Sequence, residues 1–191
     1  KAQGKKAEPP KMDNSRSQHY IGEALKVFYD LEKKFPNHPK IDEVIYFIGF
    51  VEMEGGKGDK GQKYLERVIK QFPQSKKYDE AAIYLGDFYF DKHKFKDASQ
   101  KYRLLLSRGS SLKDYANYKL AWCELNSGSP EKALKDMKGL ITYLAGTPDT
   151  AKFALREQAL RDLVVFYAET ERGEDAIEFF SKVQGKTKAL D

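Results

Sequence analysis

The chain has 191 residues, with 34 lysines and arginines against 29 aspartates and glutamates, 40% hydrophobic and 13% aromatic residues, and a mean hydropathy of −0.70. That is enough apolar material for a core beneath a heavily solvated surface, and no stretch approaches the roughly 20 apolar residues of a membrane-spanning helix. The net charge of +5 is interspersed rather than gathered into the basic face that nucleic acid requires, and the single cysteine, Cys123, excludes an internal disulfide and a cysteine-built zinc site.

Residues 1–14, KAQGKKAEPPKMDN, are basic, hold Pro9 and Pro10 and lack apolar periodicity. They read as a flexible arm, whose alternative role is a tether to nucleic acid or an anionic surface. From Ser15 the apolar residues Tyr20, Ala24, Leu25, Phe28, Leu31 and Phe35 recur three and four apart, predicting a lone helix over residues 15–36 that Pro36, Asn37 and Pro39 stop.

A helix pair is predicted over 41–75, with GGKGDKG, Gly55 to Gly61, as its turn and Leu65 and Val68 in the second helix. The glycine run lacks the GK[ST] of a phosphate-binding loop, and no strand precedes it. The next pair, 78–111, carries Leu85, Gly86, Tyr89, Ala98 and Tyr102, with small residues where helices must approach and large ones filling the gap. The third, 113–146, has Leu120, Ala121, Ala133, Met137 and Leu140 in register, and turns at Ser127-Gly128-Ser129-Pro130. Pro130 suits a first helical turn, where its missing N–H is not needed. The fourth, 150–185, has Leu163, Val164, Tyr167, Ala176, Phe180 and Val183. Residues 186–191 read as the start of a further helix in a longer array. Leu163 follows Leu120 by 43 residues, against steps of 37 and 35 earlier, so a longer helix pair is expected around Leu144 to Phe153.

The pattern L-G-x-x-Y followed by A-x-x-x-F over residues 79–111 resembles the tetratricopeptide repeat (TPR), and the resemblance extends over residues 19–185. One departure is Glu52, which stands where the motif has tyrosine. The fold class expected is all-α, a right-handed TPR-like α-solenoid of antiparallel helix pairs. The phrases KYLERVIKQFPQS, YDEAAIYLGDFYF and YKLAWCELNSGSPEKAL are similar to those of bacterial cell-envelope TPR proteins: outer-membrane assembly lipoproteins, Tol-Pal coordinators and deltaproteobacterial motility proteins. That likeness implies a non-enzymatic scaffold in the bacterial cell envelope or periplasm, peripherally associated, with the cytoplasm as the alternative compartment.

Mapped onto the family's concave face, the positions expected to line a groove are Tyr46, Phe50 and Met53; Ile83, Asp87 and Phe90; Tyr118, Trp122 and Leu125; Arg161, Val165 and Ala168. Packing between adjacent first helices is the alternative role for the aromatic and apolar members, Tyr46 and Ile83 above all. Tyr118 and Trp122 lie four apart on one helix face and are of the types that dominate binding hot spots. The lysines and asparagines of a carboxylate clamp are missing at these positions, so the expected partner is a protein or peptide with apolar or aromatic side chains rather than a free C-terminal carboxylate. Self-association through terminal helices is a further reading.

Nothing points to catalysis. His19, His38 and His93 are not spaced as metal ligands, no HExxH is present, and the carboxylates lie among lysines in the manner of solvated charge. No cofactor, metal or nucleic acid is expected, and Cys123 reads as a small core residue.

Overall fold

The computed structural model describes residues 15–147, 149–170 and 172–187; the basic arm at 1–14 and residues 188–191 lie outside them. The described residues form nine α-helices and no strand: α1 (Ser15–Lys34), α2 (Ile41–Glu54), α3 (Gly58–Gln71), α4 (Tyr78–Asp91), α5 (Phe95–Ser107), α6 (Lys113–Asn126), α7 (Pro130–Leu144), α8 (Thr150–Ala168) and α9 (Gly173–Thr187).

Two kinds of turn repeat along the chain. Within each of the first three pairs one residue adopts a left-handed conformation, at Gly56 (φ 80°), His93 (φ 57°) and Gly128 (φ 79°). Glycine takes this conformation without a steric penalty, whereas His93 bears a Cβ there. Between pairs, a side chain two residues ahead of each N-cap accepts a backbone N–H. His38 Nδ1 takes that of Lys40 at 3.2 Å, Ser75 Oγ that of Lys77 at 3.0 Å, and Ser110 Oγ that of Leu112 at 3.1 Å. These local bonds fix the exit from one hairpin and the entry to the next.

The helices lie in two layers. First helices α2, α4, α6 and α8 meet through Phe50 and Tyr84, whose ring centres are 5.1 Å apart, through Asp87 and Lys119 at 3.1 Å, and through Trp122 and Phe166 at 4.9 Å. Second helices meet through Arg67 and Glu32, Lys101 and Glu66, and Lys138 above Phe179.

Within a pair the approach depends on missing bulk. A Cβ on Gly86 would stand 2.4 Å from the Tyr102 ring, and one on Gly49 would stand 2.7 Å from Leu65. Ala98 and Ala133 are fully buried, and Ala176 packs half-buried against the second of two apolar clusters. The first cluster runs from Ile41 to Cys123, so each interface buries side chains that no single hairpin could cover.

The structure refines three expectations. The α2–α3 turn is only residues 55–57: Gly58 already begins α3, and Gly61 is a packing residue whose Cβ would meet Met53 at 2.4 Å. The longer fourth unit arises from α8, with 19 residues against 14 in α6. Residues 186–187 belong to α9, which runs on to Thr187, and do not start another helix.

Candidate functional site

The first-helix layer gathers the residues expected to line a groove, but it uses them unequally. Tyr46 is 6% exposed, with its ring against Phe47 and Phe50 and the Lys77 ammonium 5.3 Å from its centre. Burial above all pushes its hydroxyl up to about 12. Phe50, Met53 and Ile83 are half-buried against the same cluster, and Leu125 against the second. Arg161 is exposed and donates to Gln158 Oε1 at 2.8 Å, while Val165 and Ala168 are also exposed.

Asp87 is a junction between repeats. It accepts hydrogen bonds from Tyr102 at 2.6 Å and from Tyr115 at 3.2 Å, and pairs with Lys119. The Tyr102 and Tyr115 phenols are held far above the usual range, first by burial and then by this carboxylate. Lys119 also lies 4.1 Å from the centre of the Phe90 ring, so its charge is both paired and stacked.

Between α4 and α6 the surface opens into a depression of ≈ 460 Å³. Phe90, Tyr118 and Trp122 line it, together with Asp91, His93 and Asn126. Its walls are held from behind. Trp122 stands edge-on to Phe166, with the planes 68° apart, and Tyr118 donates its hydroxyl hydrogen to Asp162 of α8. Phe90 meets Phe95 at 5.3 Å. Burial and then Asp162 push the Tyr118 phenol up to about 12. The left-handed His93 sits on the rim, so backbone strain coincides with the cavity, as it does at many ligand clamps.

Tyr115, Lys119 and Asn126 were missed in the sequence although they follow the helical spacing of Tyr118 and Trp122. His93 carries no such signal, because a turn residue joins a cavity only through the packing of its hairpin, whereas Asp91 ends α4 four residues after Asp87. Among the described residues no group of three histidine, cysteine, aspartate or glutamate side chains could hold a metal ion, and no helix is long and apolar enough to cross a membrane.

Stacked antiparallel helix pairs with an aromatic-lined first-helix face define the class: an all-α solenoid of the kind that serves as a protein-interaction scaffold. Residues 43–75, covering α2, α3 and the turn after them, match the tetratricopeptide repeat family. The fold is similar to the nearly identical TPR-like repeats of a kinesin light chain-like protein of Podosopora anserina, with a TM-score of 0.69 at 13% identity over 93% of this chain and 90% of that one. It is likewise similar to MamA, with a TM-score of 0.66 at 18% identity over 94% and 97%. No curated protein sequence matches. Residues 43–75 thus carry a tetratricopeptide repeat, and the fold is that of an all-α TPR-like solenoid. Proteins of this family are generally non-enzymatic scaffolds.

Proposed function

We propose that the chain is a non-enzymatic scaffold that seats a peptide or a segment of a partner protein on its first-helix face, with Phe90, Tyr118 and Trp122 as the anchor. The observation that carries this reading is the depression between α4 and α6. It is open to solvent, and its aromatic walls are pinned from the far side by Phe166 and Asp162. A preformed wall loses little ordering entropy when a ligand arrives. A place in a bacterial cell-envelope or motility assembly belongs to the same proposal and rests on the wording of the repeats.

The test is selection of binding peptides from a random display library, followed by calorimetry with the wild type and a Tyr118→Ala, Trp122→Ala double variant. The variant is expected to bind at least about tenfold more weakly while keeping its helical circular dichroism. Equal affinities would overturn the assignment of the groove.

A further inference from the structure

Charge is divided between the two layers. Helices α2 and α4 contain no lysine or arginine but carry Asp42, Glu43, Glu54, Asp79, Glu80 and Asp91, among other carboxylates. Their partners α3 and α5 hold Lys60, Lys63, Lys70, Lys96 and Lys101, while Lys57, Lys76, Lys77, Lys92 and Lys94 lie in the turns. Several first-helix carboxylates are already used: Glu43 by Lys40, Asp79 by Arg108, Glu80 by Lys77 and Asp87 by Lys119. Glu54 and Asp91 are exposed and stand outside these pairs.

Glu54 and Asp91 occupy one position of the repeat, the last residue of α2 and of α4, and Asn126 and Glu169 continue the row. A helix C-terminus carries partial negative charge and favours a cation, yet neither α2 nor α4 has a basic residue in its last turn. The cations next along the chain are engaged elsewhere: Lys92, the C-cap of α4, pairs with Asp59 at 2.5 Å, and Lys57 pairs with Glu52 at 3.8 Å, so neither is taken up by Glu54 or Asp91. The row borders the aromatic surface. Glu54 and Asp87 help hold the Tyr84 phenol above its usual range, after burial, and Asp91 both acts on Tyr115 and lines the depression.

We infer that the occupant of the groove is a cationic peptide segment of a partner, in which lysine or arginine alternates with aromatic or large apolar residues. This deepens, and rests on, the groove reading given above. The apolar side chains enter between Phe90, Tyr118 and Trp122, and the cations lie along Glu54, Asp91 and Glu169. Lys119 does not oppose them, since Asp87 neutralises it at 3.1 Å. The lysines of α3 and α5 repel the same peptide from the opposite layer, so the field also selects the face.

The test uses two synthetic peptides of equal length with one pattern of tryptophan and leucine, the intervening positions being lysine in one and glutamate in the other. Calorimetry is expected to show binding of the lysine peptide alone, weakening with salt. Glu54→Gln and Asp91→Asn should each weaken it roughly threefold, and about tenfold together, while Glu178→Gln on α9 leaves it unchanged. Tyr118→Ala, Trp122→Ala should abolish it. If both peptides bind alike and both depend on Trp122, the groove stands and the charge inference falls. Binding of the lysine peptide that is indifferent to Glu54 and Asp91, tighter binding of the glutamate peptide, or binding of neither also overturns it.

Discussion

Tyr29 in α1 donates its hydroxyl hydrogen to Glu52 in α2, while one repeat further on Tyr89 in α4 donates to Glu66 in α3 at 3.1 Å. Tyr29 and Glu66 are 37 residues apart, as are Glu52 and Tyr89, so both interfaces use the same two positions with the residues exchanged. At the last interface the same positions hold Lys138 and Tyr167, with the ammonium 5.6 Å from the ring centre. Glu52 thus departs from the tyrosine of the motif without losing the contact, because the tyrosine has moved to the neighbouring helix.

Glu52 is 1% exposed and also accepts a hydrogen bond from Lys60 at 2.7 Å. Burial pushes its carboxyl up, but the hydrogen bonds from Lys60 and Tyr29 outweigh burial and leave it below the usual range. A depressed carboxyl stabilises the fold above its unfolded value of about 4.3, and that contribution is lost as pH falls further. Glu52→Ala is expected to lower stability by about 1–3 kcal/mol at neutral pH and to steepen no further loss in acid, where wild type converges on it. Urea unfolding at neutral and acidic pH checks both statements. A double-mutant cycle with Tyr29→Phe should return a coupling of about 0.5–2 kcal/mol.

Gly86 and Gly139 are both helical, and their environments predict opposite signs. Gly86→Ala drives a methyl group into the fully buried Tyr102 ring and should destabilise by about 1–3 kcal/mol. Gly139 has nothing within 4 Å of a built Cβ, so Gly139→Ala should stabilise by about 0.5–1 kcal/mol by removing backbone freedom from the unfolded chain. Thermal melts of the two variants test the packing argument directly.

Asp87→Ala should act on stability first. The substitution leaves the Tyr102 hydroxyl, buried with the rest of its side chain, without its acceptor at 2.6 Å and frees Lys119 from its partner. A loss of about 2–4 kcal/mol is expected from a buried donor and a charge-assisted pair together. Tyr102→Phe removes donor and need alike and should recover much of the loss in the double variant, as measured by denaturant unfolding.

Alkaline pH should unfold the chain cooperatively. Of its 12 tyrosines, Tyr29, Tyr46, Tyr89 and Tyr118 are pushed up to about 12, chiefly by burial, and Tyr102 and Tyr115 higher still. Phenols raised in the folded state favour it fully below their unfolded value of about 10, and that advantage disappears as pH climbs through the folded values. Phenolate absorbance during a pH jump should rise in two phases: exposed tyrosines at once, then the buried group at the rate at which helical circular dichroism is lost. A single instantaneous phase would contradict the burial described here.

The repeats were legible in the sequence because their determinants are local. Leu85, Gly86 and Ala98 fix where bulk is present or missing along a helix, and a solenoid repeats that rule from neighbour to neighbour. The helices and their order follow from periodicity, and the step of 43 residues signals extra length around Leu144 to Phe153, which the structure assigns to α8. The sequence placed Tyr46, Phe90, Tyr118 and Trp122 among the positions of one first-helix face, since each follows the helical spacing of its own helix. Only tertiary structure decided which apolar side chains of that set stay open: Tyr46 is sealed by Phe50 and Lys77, whereas Trp122 is backed by Phe166 and still borders a cavity. It also turned Asp87 inward, to Tyr102, Tyr115 and Lys119, and brought Asp91 at the end of α4 and the turn residue His93 to the rim. Burial at such positions depends on side chains 15 to 44 residues away, as in Tyr102 to Asp87 and Tyr118 to Asp162, and no spacing rule within one helix contains that information.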